Sequence, residues 1–272
     1  MPAKSRTYQP KKVSAALAAQ NEALRGVVHR LTDSDLDRPT RLGSWRVREL
    51  LAHLSLALGR LPAAVAEDRA ADGPELSLSG YAELSRTLTG SVDSAVAEHA
   101  QTAFAGRPEQ VAAAFDRSLD AVRAVLDNPE AVESGRRVSL LGGRSMDLTD
   151  FLVTRLVEAV VHADDLAAAL GGDAFPHDRQ AVAAVTRMLA DAFAEQVPGG
   201  AVELRIPPYA VVQAVEGPKH TRGTPPNVVE TDPLTWIRLA TGRTGWSAEV
   251  EAARVSASGE RSDLARHLPI LG

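Results

Sequence analysis

The segment "TRLVEAVVHADDLAAAL", residues 154–170, decides how the chain is read. At about 100° per residue, Leu148, Phe151, Leu152, Ala159, Leu166 and Ala169 form one apolar stripe, and Arg155, Glu158 and His162 fall inside it. Val153, Val157, Val160 and Val161 make the opposite side apolar as well. A helix apolar nearly all round is buried, and ionisable groups on it must be paired, hydrogen-bonded or bound to a metal. Glu158 and His162, four residues apart, stack one turn above the other, a geometry that suits a chelate. If His53 projects from a neighbouring helix, the three give a His/His/Glu set for zinc or a similar divalent ion, with a position left for water or substrate. The alternative on spacing alone is a structural charge cluster of Arg155, Glu158 and His162, since ion pairs also place charge in cores. On the metal reading, Arg155 binds a substrate carboxylate or orients Glu158.

Working outward, residues 13–31 fit a helix, and "TDSDLDRPTRLGS" breaks it. Ser44 is the expected N-cap of a helix over 45–66, where Val47, Leu50, Leu51, Leu54, Leu58 and Leu61 recur at helical spacing and His53 sits at the edge of the stripe. Helical patterns follow at 79–100 and 107–127. "RRVSLLGGRSMDL" reads as a hairpin turning on Gly142-Gly143, the 154–170 helix starts near Asp147 or Thr149 and ends at Gly171-Gly172, and a further helix fits 177–196. After "VPGG" at 197–200 the pattern turns strand-like, with Pro207-Pro208 marking an edge or a break. "TDPLTWIRLATGR" specifies a short helix, with Asp232 as N-cap, Pro233 at the first helical position and Gly242 just past the end. "SAEVEAARVSASGE" is expected as one or two strands and "RSDLARHLPIL" as a capping helix. The expected class is α+β, with a helical region over 1–197 and a small sheet-containing domain over 198–272.

Composition narrows the function. A net charge of −5 leaves no basic footprint for nucleic acid. No apolar run approaches a membrane span and "MPAKSRTYQPKK" lacks a signal peptide's apolar segment, so a cytoplasmic protein is expected. With no cysteine, any thiol chemistry must use a thiol from outside. Twenty-six arginines against four lysines in an Ala-rich chain suggest a GC-rich genome, of the actinobacterial kind. Phosphate-loop, dinucleotide and G-x-S-x-G motifs are absent. His29, His99, His177, His220 and His267 are read as solvated, and Trp45, Trp236 and Trp246 as packing anchors.

"GSWRVRELLAHL" at 43–54 resembles the G-W-T-V-R-D-L-x-A-H-L motif of the mycothiol-dependent maleylpyruvate isomerase family, within the DinB-like bundle superfamily. "DLTDFLVTRLVEAVVHADDLAAAL" at 147–170 is similar to that family's R-x-x-E-x-x-x-H-x-x-D-L helix, and the two occur in the family order. The resemblance implies a DinB-like four-helix bundle with His53, Glu158 and His162 as zinc ligands. The last 75 or so residues are similar to a sterol-carrier-like domain, an arginine of which serves catalysis in the isomerases; Arg243 in "TGR" is the candidate by motif, unless it only favours the helix C-terminus. The longer middle region, the "SWRV" start and the "GTPPN" loop depart from the isomerase pattern and put the substrate in doubt. The implied activity is an isomerase or S-transferase that uses mycothiol as cosubstrate on a small electrophilic, carboxylate-bearing substrate. The rival readings are a carrier of an apolar ligand in the C-terminal domain, with the bundle as scaffold, and an interaction protein with a vestigial metal site.

Overall fold

The computed structural model describes residues 6–67, 73–85, 89–133, 135–140, 143–172, 174–217 and 226–271. Lys4, Gly142, His220 and most of the "GTPPN" loop lie outside them. The protein is α+β, helical at first and then built around a small sheet. Its contacts divide it into two compact units, Tyr8–Ser77 with Leu88–Ala181, and Val182–Gly272 with Leu78–Thr87 and Met1–Thr7.

The first unit holds α1 (Pro10–Val28), α2 (Asp33–Leu36), α3 (Val47–Ala66), α5 (Thr89–Thr102), α6 (Pro108–Leu126) and α7 (Leu148–Leu170). Both α1 and α3 pack against α6 and α7, so these four occupy alternating corners of a bundle, and α5 lies along α3. The core is built on aliphatic residues that the spacing picks out: Leu17 and Leu24 of α1, Leu50, Leu54, Leu58 and Leu61 of α3, and Leu152 and Val160 of α7 are all without solvent exposure. Each such side chain withdrawn from water contributes about 1.5–3 kcal/mol to folding. α3 is long and apolar enough, by length and composition alone, to cross a membrane, which differs from the expectation; in this fold its apolar faces are taken up by α5, α6 and α7.

Local rules set the ends of these helices. Asp147 caps α7, its Oδ1 accepting from the N–H of Thr149 at 2.7 Å, and Gly171 ends it in the left-handed conformation at φ 65°. β1 (Arg137–Ser139) and β2 (Ser145–Asp147) form the antiparallel hairpin ahead of it. Ser44 is not the cap of α3. The chain turns at Gly43-Ser44 and is extended at Arg46, which bridges to Pro39, and the Glu49 side chain accepts the Arg46 N–H at 2.9 Å, so the helix begins at Val47. The break after α1 contains the short α2, held by a capping box between Thr32 and Asp35. Over 79–100 the described residues are helical, as α4 (Leu78–Ser85) and α5 on either side of 86–88, which lie outside them, and α4 groups with the second unit.

In the second unit β3 (Val202–Ile206) and β4 (Ala210–Ala214) form an antiparallel pair that turns at Pro207-Pro208, where neither residue can donate to a ladder. β5 (Val228–Thr231) runs parallel to β3, and β6 (Val255–Ser258) runs antiparallel to β5, giving the order β4-β3-β5-β6. α9 (Pro233–Ala240) is capped by Asp232, and its buried Trp236 meets Phe193 of α8 (Arg179–Gln196) edge to face at 5.6 Å. Two expectations are corrected. The first half of 247–260 is a helix, α10 (Trp246–Glu251), because a helical turn returns the buried Glu249 to Thr244 and Arg254, with Thr244 Oγ1 donating at 2.5 Å. The C-terminal segment is a single 3₁₀ turn, Ala265–His267; Pro269 has no N–H with which to continue it, and Ile270 donates to the Ala240 carbonyl at 2.9 Å instead.

Candidate metal centre

His53 comes from the middle of α3, and Glu158 and His162 from successive turns of α7. Their imidazole Nε2 atoms converge on one carboxylate oxygen: Oε2 of Glu158 lies 3.1 Å from His53 and 3.3 Å from His162. The two rings meet edge to face, with centroids 4.6 Å apart. One ligand atom from each of the three residues falls within 4.8 Å of the others. The side chains keep 11–19% of their exposure, so the cluster is not fully sealed from solvent.

Hydrogen-bond chemistry tests whether a cation belongs there. Nδ1 of His162 is 2.8 Å from Oδ2 of Asp165, an acceptor without solvent exposure, so this nitrogen carries the proton. In a neutral ring Nε2 then presents a lone pair to the Glu158 oxygen. Two acceptors 3.3 Å apart require a proton or a cation between them. A tetrahedral ion with bonds of about 2.0–2.2 Å spaces its ligand atoms roughly 3.3–3.6 Å apart, close to the separations found. The donor set, two imidazole nitrogens and one carboxylate, therefore fits a divalent ion, which would take the place of a second proton on His162.

Without an ion, the surroundings favour that second proton on His162 and leave His53 in its neutral form. Burial pushes the Glu158 carboxyl up, but hydrogen bonds from His162 and His53 outweigh it and hold the group well below the usual carboxylate range. Burial, with the neighbouring His162, pushes His53 down and favours its neutral form. For His162, burial is opposed and overcome by Asp165 and Glu158, so the ring holds a proton more tightly than a free imidazole.

Arg155 is buried, at 6% exposure, but it spends its hydrogen bonds away from the cluster. Nη1 donates to the Ala57 carbonyl of α3 at 2.6 Å, Nε and Nη2 donate to Oγ1 of Thr154, and the guanidinium lies 4.8 Å from the centre of the Phe151 ring. Arg243 lies just beyond α9, its N–H on the Arg238 carbonyl and its Nη1 donating to the Thr241 carbonyl at 2.6 Å. Sequence reasoning missed two parts of the site. Asp165 stood in view in "HADD", three residues beyond His162; Arg41, which bonds it, lies in a loop over a hundred residues earlier and carries no local signal. His29 and His99 are also less free than expected, His29 pairing with Asp116 at 2.9 Å and His99 lying 3.3 Å from Ser55.

A helical bundle with a His/Glu/His cluster between two of its helices is the class that fold and site define. The family model described as the mycothiol maleylpyruvate isomerase N-terminal domain matches residues 17–167, and the chain belongs to that family. A second model, described as a bacterial SCP ortholog, matches residues 178–270. Among solved structures the chain is similar to a mutant of the mycothiol-dependent maleylpyruvate isomerase, with TM-score 0.60 and 16% identity over 97% of both chains. A second structure of that isomerase gives TM-score 0.59 and 15% identity, again over 97% of each. No curated protein matches the chain.

Proposed function

We propose that the protein is a cytoplasmic enzyme, a metal- and mycothiol-dependent isomerase acting on a small electrophilic carboxylate. The observation that carries this is the convergence of His53, Glu158 and His162 on a single point, in a chain of the maleylpyruvate isomerase family that has no cysteine of its own.

A divalent ion would be held by these three side chains, zinc being the natural choice for two imidazoles and a carboxylate, and would supply the Lewis acidity that lowers the pKa of a thiol to near neutrality. His53 and His162 offer neutral Nε2 atoms to it. Glu158, kept ionised by both imidazoles, balances part of its charge. Leu54, Val161 and Leu166, close to the ligands along α3 and α7, are buried, and a low-dielectric surrounding strengthens these interactions. Arg155 uses one N–H of each guanidinium nitrogen internally; two of its five N–H groups are left to hold a substrate carboxylate. Arg243 is the second candidate for that role. Thiolate addition to a cis double bond, rotation about the resulting single bond and elimination give the trans product, and S-transfer shares the first half of this sequence.

The test is elemental analysis of protein purified without chelator or His-tag, beside His53→Ala, followed by mycothiol-dependent cis-to-trans conversion of maleylpyruvate. Near-stoichiometric zinc lost in the variant, with turnover that requires added mycothiol, is expected. The match of residues 178–270 to a bacterial SCP model favours a second reading, a carrier of apolar ligands. Absence of zinc from both proteins, together with binding of a fluorescent fatty acid, would establish that reading instead.

A further inference from the structure

The loop ahead of α3 touches His53 directly and reaches His162 through Asp165. It is closed on itself: Pro39 bridges Arg46, the Thr40 N–H and Oγ1 both donate to the Trp45 carbonyl at 2.9 and 2.7 Å, and the Trp45 N–H donates to Leu42 at 3.0 Å. The Trp45 ring lies against His53, with centroids 5.2 Å apart. Arg41 points to the end of α7, where Nε donates to Oδ1 of Asp165 at 2.5 Å and Nη2 donates to Oδ2 of Asp164 at 2.5 Å. Asp165 thus uses its two oxygens for different partners, Oδ1 for Arg41 and Oδ2 for Nδ1 of His162. It has no solvent exposure, and a buried carboxylate is tolerated only when such bonds satisfy it.

We infer that Arg41 and Asp165 are positioning residues of the metal centre: Arg41 orients the buried Asp165 carboxylate, which holds His162 with its proton on Nδ1 and aims Nε2 at the metal. The inference rests on the metal reading of His53, Glu158 and His162. Its physical basis is that an imidazole has two interchangeable tautomers and a freely turning ring, and a carboxylate on one nitrogen selects both tautomer and orientation. A planar guanidinium can bond two adjacent carboxylates at once, which lysine, a point donor, does not reproduce. Two sequence-distant segments, residues 39–46 and the end of α7, are thereby locked around one ligand.

The experiment is a double-mutant cycle on the full chain, read as zinc affinity by chelator competition. In Asp165→Asn one accepting oxygen becomes a donor, so the side chain faces either the His162 proton or the Arg41 cation with the wrong group. Arg41→Gln lies at the surface and keeps the test open should Asp165→Asn fail to fold. Each variant is expected to bind zinc about 10–100-fold more weakly, with Arg41→Lys between wild type and Arg41→Gln, and the double variant no weaker than Asp165→Asn alone. A second readout uses metal-free protein at a pH high enough to leave the ring neutral: the imidazole ¹⁵N spectrum of His162 then shows the proton on Nδ1 in wild type and a tautomer mixture in Asp165→Asn. Folded single variants with wild-type zinc affinity, fully multiplicative effects, or a His162 proton on Nε2 in the wild type would each overturn the inference. A wild type that binds no zinc but keeps the Nδ1 proton removes the metal reading and leaves the tautomer lock standing.

Discussion

Arg155 on α7 donates to the backbone carbonyl of Ala57 on α3 at 2.6 Å, one helical turn from His53, while three residues further along α7 Glu158 meets His53 itself. The pairs 155/57 and 158/53 advance in opposite directions, so the helices are antiparallel here and the arginine fixes their register beside the cluster. Replacing Arg155 by Ala removes three buried hydrogen bonds from a charged donor and the stacking of its guanidinium on Phe151. Urea denaturation is expected to show a loss of about 2–4 kcal/mol. A loss within about 0.5 kcal/mol would instead mark Arg155 as a residue that serves the substrate alone.

Glu158→Gln keeps the shape of the ligand and discards its charge. At a zinc concentration a hundred times the dissociation constant, wild-type protein gains about 2.7 kcal/mol, roughly 5–10 °C in Tm for a unit of this size. The variant is expected to show no zinc-dependent shift in a thermal scan. A shift equal to that of the wild type would show that zinc binds elsewhere.

Asp150, in the first turn of α7, has its carboxyl pushed up to about 6 by burial and by the charges of Asp147 and Glu75. The folded state therefore takes up a proton that the unfolded chain, titrating near 4, does not hold between those values. Stability falls as pH rises from 4 to 7, and the unfavourable contribution is complete above the folded pKa. A shift of two units corresponds to about 2.7 kcal/mol, and since the group is only half buried and sits at a helix N-terminus that favours its anion, about 1 kcal/mol is expected. Asp150→Asn should stabilise the protein by that amount at pH 8 and leave it unchanged at pH 4. Equal denaturation midpoints at pH 8 would contradict this account.

Gly199 lies just ahead of β3 at φ 154°, and a Cβ there would lie 1.9 Å from the carbonyl oxygen of Val215. That oxygen accepts the Ala201 N–H at 3.0 Å, so the clash falls on the bond that starts the β3–β4 pairing. Gly199→Ala is expected to cost at least about 2 kcal/mol. Hydrogen exchange should quicken along Val202–Ile206. Unchanged protection of those amides would refute the prediction.

By itself the sequence determined the helices whose apolar spacing is long and whose ends are marked. α7 shows both, with Asp147 before it and Gly171 after it, as does α9 between Asp232 and Gly242. The Glu158–His162 pair was legible for the same reason, since positions four apart on a helix are neighbours whatever surrounds them. Short segments were not legible. α10 and the closing 3₁₀ turn have too few residues for a period to declare itself, and tertiary partners decided them: Arg254 for Glu249, and Ala240 for Ile270. Only the tertiary structure brought His53 to Glu158 across 105 positions and Arg41 to Asp165 across 124, because the meeting of two faces depends on how helices pack. Family resemblance anticipated the first pairing. The second, between a loop arginine and a buried carboxylate, leaves no periodic trace in the chain, since a loop side chain is aimed by the fold around it.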